Sequence, residues 1–167
     1  MSADPEFEKL VNAYYGDLYR FGLSLTGNDG DACDLAQETF YVWAKKRHQL
    51  RNPASVKSWL FTTLHRQFLQ TCRRRNRFKD EPIDESSPAL PQVSADCVDR
   101  IDAQMLLRFL AKIEIDYRSP LVLYYLEDLS YKEIATALAI PLGTVQSRIA
   151  RAKIKLLQLL NETNPPK

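Results

Sequence analysis

The sequence predicts an all-α protein: two small helical domains joined by a flexible acidic linker, the second containing a helix-turn-helix. Three observations lead there. Apolar residues recur at three- and four-residue steps on both sides of residue 80, the period of a helix face turned to a core. Between the two runs, residues 80–95 hold Pro82, Pro88 and Pro91, the Ser86-Ser87 pair and several acids, a composition that stays solvated. Later, Ser130-Tyr131-Lys132-Glu133 has the spacing of a capping box, and a short apolar stretch, a break and a basic helix follow it.

The first helix carries Phe7, Leu10, Val11, Tyr14, Leu18, Phe21 and Leu25 on one stripe. Asp4 before Pro5 starts it, and Thr26-Gly27-Asn28-Asp29-Gly30 stops it. A second helix runs from about Asp31 to His48 with Leu35, Ala36, Thr39, Phe40 and Trp43 on its inner face. Asn52-Pro53 opens a third, because proline is tolerated in a first turn where its missing N–H costs little. Its buried stripe is expected at Val56, Trp59, Leu60, Thr63, Leu64 and Gln67, continuing toward Thr71. Opposite lie Ser58, Thr62, His65, Arg66, Leu69 and Arg73, with His48 and His65 expected at the polar surface. These helices form one domain over residues 1–79, and residues 80–99 form the linker.

Residues 100–164 make the second domain. Ile101, Met105, Phe109 and Ile113 mark a fourth helix, and Leu121, Val122 and Tyr125 a short fifth. Ile134, Ala135 and Leu138 belong to the sixth, which Ser130 and Glu133 cap and Ala139-Ile140-Pro141 breaks. The last helix starts at Leu142–Thr144 and ends near Leu160, with Val145, Ile149, Ala152, Leu156 and Leu159 pointing inward.

Charge is distributed in blocks that the net value of +2 conceals. Residues 1–44 hold eight acids and two bases, whereas residues 45–79 hold eleven bases and no acid. Residues 80–99 hold six acids and no base, and residues 141–167 carry a net +4. Two separated basic blocks suit two contacts with a polyanion. On the last helix, Thr144, Ser147, Arg148, Arg151 and Lys155 cluster opposite the core. Short polar residues and arginine near the helix start suit base edges in a major groove, and later cations suit phosphates. In the third helix, Arg73-Arg74-Arg75 and Arg77-Phe78-Lys79 mix cations and an aromatic ring, a pattern fit for single-stranded or melted nucleic acid. The string 31-DACDLAQETF-40 leaves Asp31, Asp34, Gln37, Glu38 and Tyr41 outward, an acidic face suited to a basic protein partner.

Other classes find no support. The three cysteines, Cys33, Cys72 and Cys97, are odd in number and form no CxxC pair, against a disulfide scaffold or structural zinc. No GxGxxG or GxxxxGK[ST] string cradles a nucleotide, and no cofactor is expected. The acidic start, MSADPEFEKL, lacks the apolar core of a signal peptide, and no stretch approaches a membrane span, so a cytoplasmic location is expected. A nucleic-acid enzyme needs a carboxylate cluster or a nucleophile–base pair, and the basic segment supplies no acid. A stand-alone helix-turn-helix regulator leaves the third helix and the DACDLAQETF face without a role.

The order DACDLAQETF, a Trp-Leu-Phe helix running into RRR, and LSYKEIATALAIPLGTVQSRIARAK resembles the extracytoplasmic-function (ECF) sigma factors of bacterial RNA polymerase. The likeness covers about residues 7–79 and 101–160. It implies sigma region two followed by region four, with no catalytic chemistry of its own. Asp34, Gln37 and Glu38 then fall on the surface that grips the coiled coil of the polymerase's largest subunit. Thr62, Arg66, Gln70, Arg73, Arg74 and Arg75 face the minus-ten promoter element. Thr144, Gln146, Ser147, Arg148, Arg151 and Lys155 face the minus-thirty-five element. The resemblance also implies an anti-sigma partner. This sequence departs from the family at Cys33, where Glu is common, at Arg66 (Asn), at Gln70 (Asp) and at Ala139 (usually Gly).

Overall fold

The computed structural model describes residues 4–77 and 98–163. All regular structure among them is helical, and the chain divides into two compact units, Met1–Ala89 and Leu90–Lys167. Phe78, Lys79, Cys97 and the expected linker up to residue 97 lie outside the described residues.

The first unit packs α1 (Pro5–Thr26), α2 (Asp29–Lys46) and α3 (Val56–Arg77) on one another. The Asp4 side chain accepts from the Glu6 amide to open α1, with Pro5 in the first turn. Gly27 closes it at φ 67°, its N–H donating to Leu23, a left-handed turn that glycine enters without the Cβ penalty. Asn28 then caps α2 through the Asp31 amide, so this helix begins two residues earlier than expected. Short 3-10 turns at Arg47–Gln49 and Pro53–Ser55 lead into α3. Asn52-Pro53 therefore opens one of these turns rather than the α-helix itself, the Asn52 side chain accepting from Ala54.

Leu18, Phe21, Leu25, Ala32, Ala36, Phe40, Leu60, Phe61, Leu64 and Phe68 form the core of this unit. The Phe21 ring meets the Phe61 ring edge-on at 5.5 Å and stacks with His65 at 6.4 Å. His65 is thus buried, at 9% exposure, and the expectation of a surface histidine fails. The inner stripe of α3 is rotated toward Phe61, His65 and Phe68, while Thr71 is exposed. Its other edge holds Trp59, half-buried against Trp43 at 5.2 Å. Between α1 and α2, Tyr19 donates to Asp29, and burial together with that bond pushes its hydroxyl up to about 12. The neighbouring Tyr15 hydroxyl is also raised, chiefly by its hydrogen bond with Cys33.

The second unit holds α4 (Val98–Ala111), α5 (Ile115–Tyr125), α6 (Tyr131–Leu138) and α7 (Leu142–Thr163). Phe109, Leu110, Ile113, Leu121, Val122, Leu123, Leu129, Ile134, Val145, Ile149 and Ala152 are buried. Met105 and Tyr125, expected inside, are 43% and 48% exposed, whereas Leu110 and Leu123, outside the expected stripes, are buried. Arg118 is buried at the α4–α5 corner, donating to the Ala111 carbonyl at the end of α4 and to the Ile113 carbonyl just beyond it. Burial there lowers its pKa from the ordinary arginine value.

The capping box forms as the sequence predicts: Glu133 N–H donates to Ser130 Oγ at 3.2 Å, and Ser130 N–H to Glu133 Oε2 at 2.7 Å. Ala139 closes α6 in the left-handed region, φ 54° and ψ 47°, its N–H turned to the Ala135 and Thr136 carbonyls. Thr144 and Val145 N–H groups then fold back on the Pro141 carbonyl, starting α7. Seven residues of chain after α6 thus contain a left-handed cap, a proline and the first turn of a new helix, which together make the turn of a helix-turn-helix.

Candidate partner and nucleic-acid interfaces

Two candidate faces lie on the first unit. On α2, Asp34 is exposed, as are Gln37 and Glu38 three and four residues further on, so both flank it on one side of the helix. Among the described residues none forms an ion pair with Asp34 or Glu38. Tyr41, one turn further, is 54% exposed and carries the Lys45 ammonium 4.1 Å from its ring centroid. An acidic, amide-bearing face with an aromatic at its end offers a basic partner hydrogen bonds, charge and apolar area together.

On α3, at about 100° per residue, Thr62, Arg66, Gln70 and Arg73 share an arc of roughly 80°. Arg66, Gln70 and Arg73 are exposed, and Thr62 is half-buried with its hydroxyl donating to Ser58. Arg74 and Arg75 turn away from this arc toward α2. Arg75 reaches Asp31 at 3.4 Å, an exposed pair of the kind that contributes little. A cleft of about 730 Å³ opens between the helices, walled by Asp31, Asp34 and Glu38 on one side and by Gln70, Arg74 and Arg75 on the other. Residues expected to serve two different partners therefore meet across one cleft: of the six-residue minus-ten set, Arg74 and Arg75 line this inner wall, Thr62, Arg66 and Arg73 stay on the outer arc, and Gln70 borders both.

The second unit presents α7. Ser147 and Arg151 are exposed, while Thr144, Arg148 and Lys155 are half-buried along the border with the preceding helices. Gln146 is exposed on the other flank, roughly 160° around the helix from Arg148. Only at the first turn, seen end-on, can it act with the others. Arg151 Nη1 lies 3.4 Å from the Tyr117 hydroxyl. Lys155 Nζ sits 4.5 Å from the centre of the Tyr117 ring and 3.5 Å from Glu114 Oε1. These contacts span 34 and 41 residues of sequence, and no local pattern announces them.

Among the described residues no group of three or more His, Cys, Asp or Glu side chains could hold a metal ion. No helix among them is long and apolar enough to cross a membrane. Cys33 and Cys72 are free and half-buried.

Comparison with known families follows this division. Sigma-70 region 2 matches residues 10–78, and Sigma-70, region 4 matches residues 103–156. The chain thus has the make-up of a sigma factor, region two preceding region four. The ECF RNA polymerase sigma factor SigM of Bacillus subtilis is 30% identical over 157 residues, covering 92% of this chain and 94% of that protein. The ECF RNA polymerase sigma factor SigE of Mycolicibacterium smegmatis is 34% identical over 166 residues, 95% of this chain. The chain spans 63% of the length of that second relative. Among solved structures, the sigma factor RpoE of Bartonella quintana, in complex with the anti-sigma factor NepR, is similar at a TM-score of 0.80 and 27% identity, over 95% of this chain and 98% of that one. This chain belongs to the ECF RNA polymerase sigma factors.

Proposed function

We propose that the chain binds core RNA polymerase and directs it to promoters, acting in the cytoplasm as a specificity subunit with no reaction of its own. The observation that carries this is the opposition of surfaces: a free acidic face on α2, a basic arc on α3 and a basic helix-turn-helix in a separate unit. In this reading residues 1–79 are region two, 80–99 the linker and 100–164 region four. Asp34, Gln37 and Glu38 dock on the coiled coil of the largest polymerase subunit. Thr62, Arg66, Gln70, Arg73, Arg74 and Arg75 hold the minus-ten element. Thr144, Gln146, Ser147, Arg148, Arg151 and Lys155 read the minus-thirty-five element. The complex of RpoE with NepR supports an anti-sigma protein as a further partner.

The test is run-off transcription. Core polymerase supplied with this chain starts at defined promoters, and core alone does not. Specific DNA binding by the chain as a dimer, with no gain for core polymerase, rejects the proposal in favour of a stand-alone regulator.

A further inference from the structure

We propose that Tyr117, in the first turn of α5, presets two cations of α7 for DNA, restraining Arg151 through its hydroxyl and Lys155 through its ring. The inference rests on the assignment of α7 to the minus-thirty-five element and adds a positioning residue that itself belongs to another helix.

The geometry is a fork. One side chain receives the Arg151 guanidinium at 3.4 Å on its oxygen and the Lys155 ammonium 4.5 Å from its ring centre. Tyr117 is half-buried, and its own N–H is fixed to the Glu114 carbonyl at 3.0 Å. Tyr117 thus sits where α5 packs on α7, with the Arg151 side chain exposed and Lys155 half-buried beside it.

The choice of residue matters chemically. Arginine and lysine side chains lose several rotatable bonds when they bind a phosphate or base edge. A restraint present before DNA arrives reduces that loss. A tyrosine applies it with a hydroxyl acceptor and a ring quadrupole, where a carboxylate would set an opposing charge against the cations. Glu114 holds Lys155 differently. Its carboxylate lies 3.5 Å from the ammonium and is 73% exposed, so a DNA phosphate must displace it. Among the described residues no carboxylate pairs with Arg151.

The experiment uses holoenzyme assembled from the full chain and core polymerase, binding promoter fragments with an intact or a scrambled minus-thirty-five element. Tyr117→Phe removes the hydroxyl and keeps the ring. It should weaken the intact promoter roughly three- to tenfold, the worth of one long, exposed hydrogen bond, and leave the scrambled one unchanged. In an Arg151→Ala background the same change should have no further effect. Tyr117→Leu removes the ring as well and should add a loss that disappears in a Lys155→Ala background. A Tyr117→Phe effect of equal size on both fragments, or one that persists without Arg151, would mark a merely structural residue and overturn the proposal. So would no effect of Tyr117→Phe where Arg151→Ala does discriminate the fragments. If Arg151→Ala itself fails to discriminate them, the minus-thirty-five assignment of α7 falls, and the role of Tyr117 falls with it.

Discussion

Ala139 takes the left-handed conformation at φ 54°, where a Cβ meets the following carbonyl and costs about 1 kcal/mol. Its side chain is exposed, so nothing is lost on removing it. Ala139→Gly should stabilise the second unit by about 1 kcal/mol and raise its melting midpoint by roughly 4–8 °C, as followed by calorimetry. A lower midpoint would contradict the strain. Asp34 and Gln37 test the opposite case, residues whose value lies outside the fold. Replacing both by Ala should change stability by no more than about 0.5 kcal/mol, since exposed substitutions seldom cost more. Titration of the variant with core polymerase should show a sharp loss of affinity, and unchanged affinity would remove this face from the interface. Single residues were unevenly legible. The Ser130–Glu133 box follows from two residues and a spacing. His65 and Arg118 do not, because what buries them is a partner far away: the Phe21 ring for one, the carbonyls at and just beyond the end of α4 for the other.

At the scale of elements, α3 shows where periodicity stops deciding. Trp59, Thr63 and Gln67 lie on one edge of its apolar sector and Phe61, His65 and Phe68 on the other, with Leu60 and Leu64 between. The sector is wide enough to accept either orientation. The edge-to-face fit of Phe61 on Phe21 selects one, and Gln67 stays half-buried within 3.2 Å of the Thr39 hydroxyl. That choice aims Arg75 at Asp31 and leaves Arg66 and Arg73 outward. Helix α7 was easier. Its inner positions Val145, Ile149 and Ala152 form a narrow seam, buried to 2% or less, and the cationic side follows by exclusion. Even so, the face leans toward α5, because Tyr117 and Glu114 draw Arg151 and Lys155 in that direction. A pattern of charges along one helix cannot carry that information.

At the scale of the whole molecule, charge organises the account. Eleven bases without an acid in residues 45–79, and a net +4 in residues 141–167, belong to two units that hold their cores separately. If each unit reads its own DNA element, the two sets of cations must fail differently. Loss of a base-reading arginine on α7 costs about 1–3 kcal/mol and relaxes preference at one position. Loss of a phosphate contact weakens all promoters alike and lowers the log–log salt slope by roughly 0.9 for each duplex contact. The most direct measurement is strand opening by the holoenzyme, followed by permanganate reactivity across a salt series, on promoters with either element scrambled. Arg151→Ala should reduce opening on the native promoter and have no effect once the upstream element is scrambled. Arg73→Ala with Arg74→Ala should reduce opening on both, with a shallower salt dependence. The same response of both variants to both scrambles would contradict a two-element sigma factor.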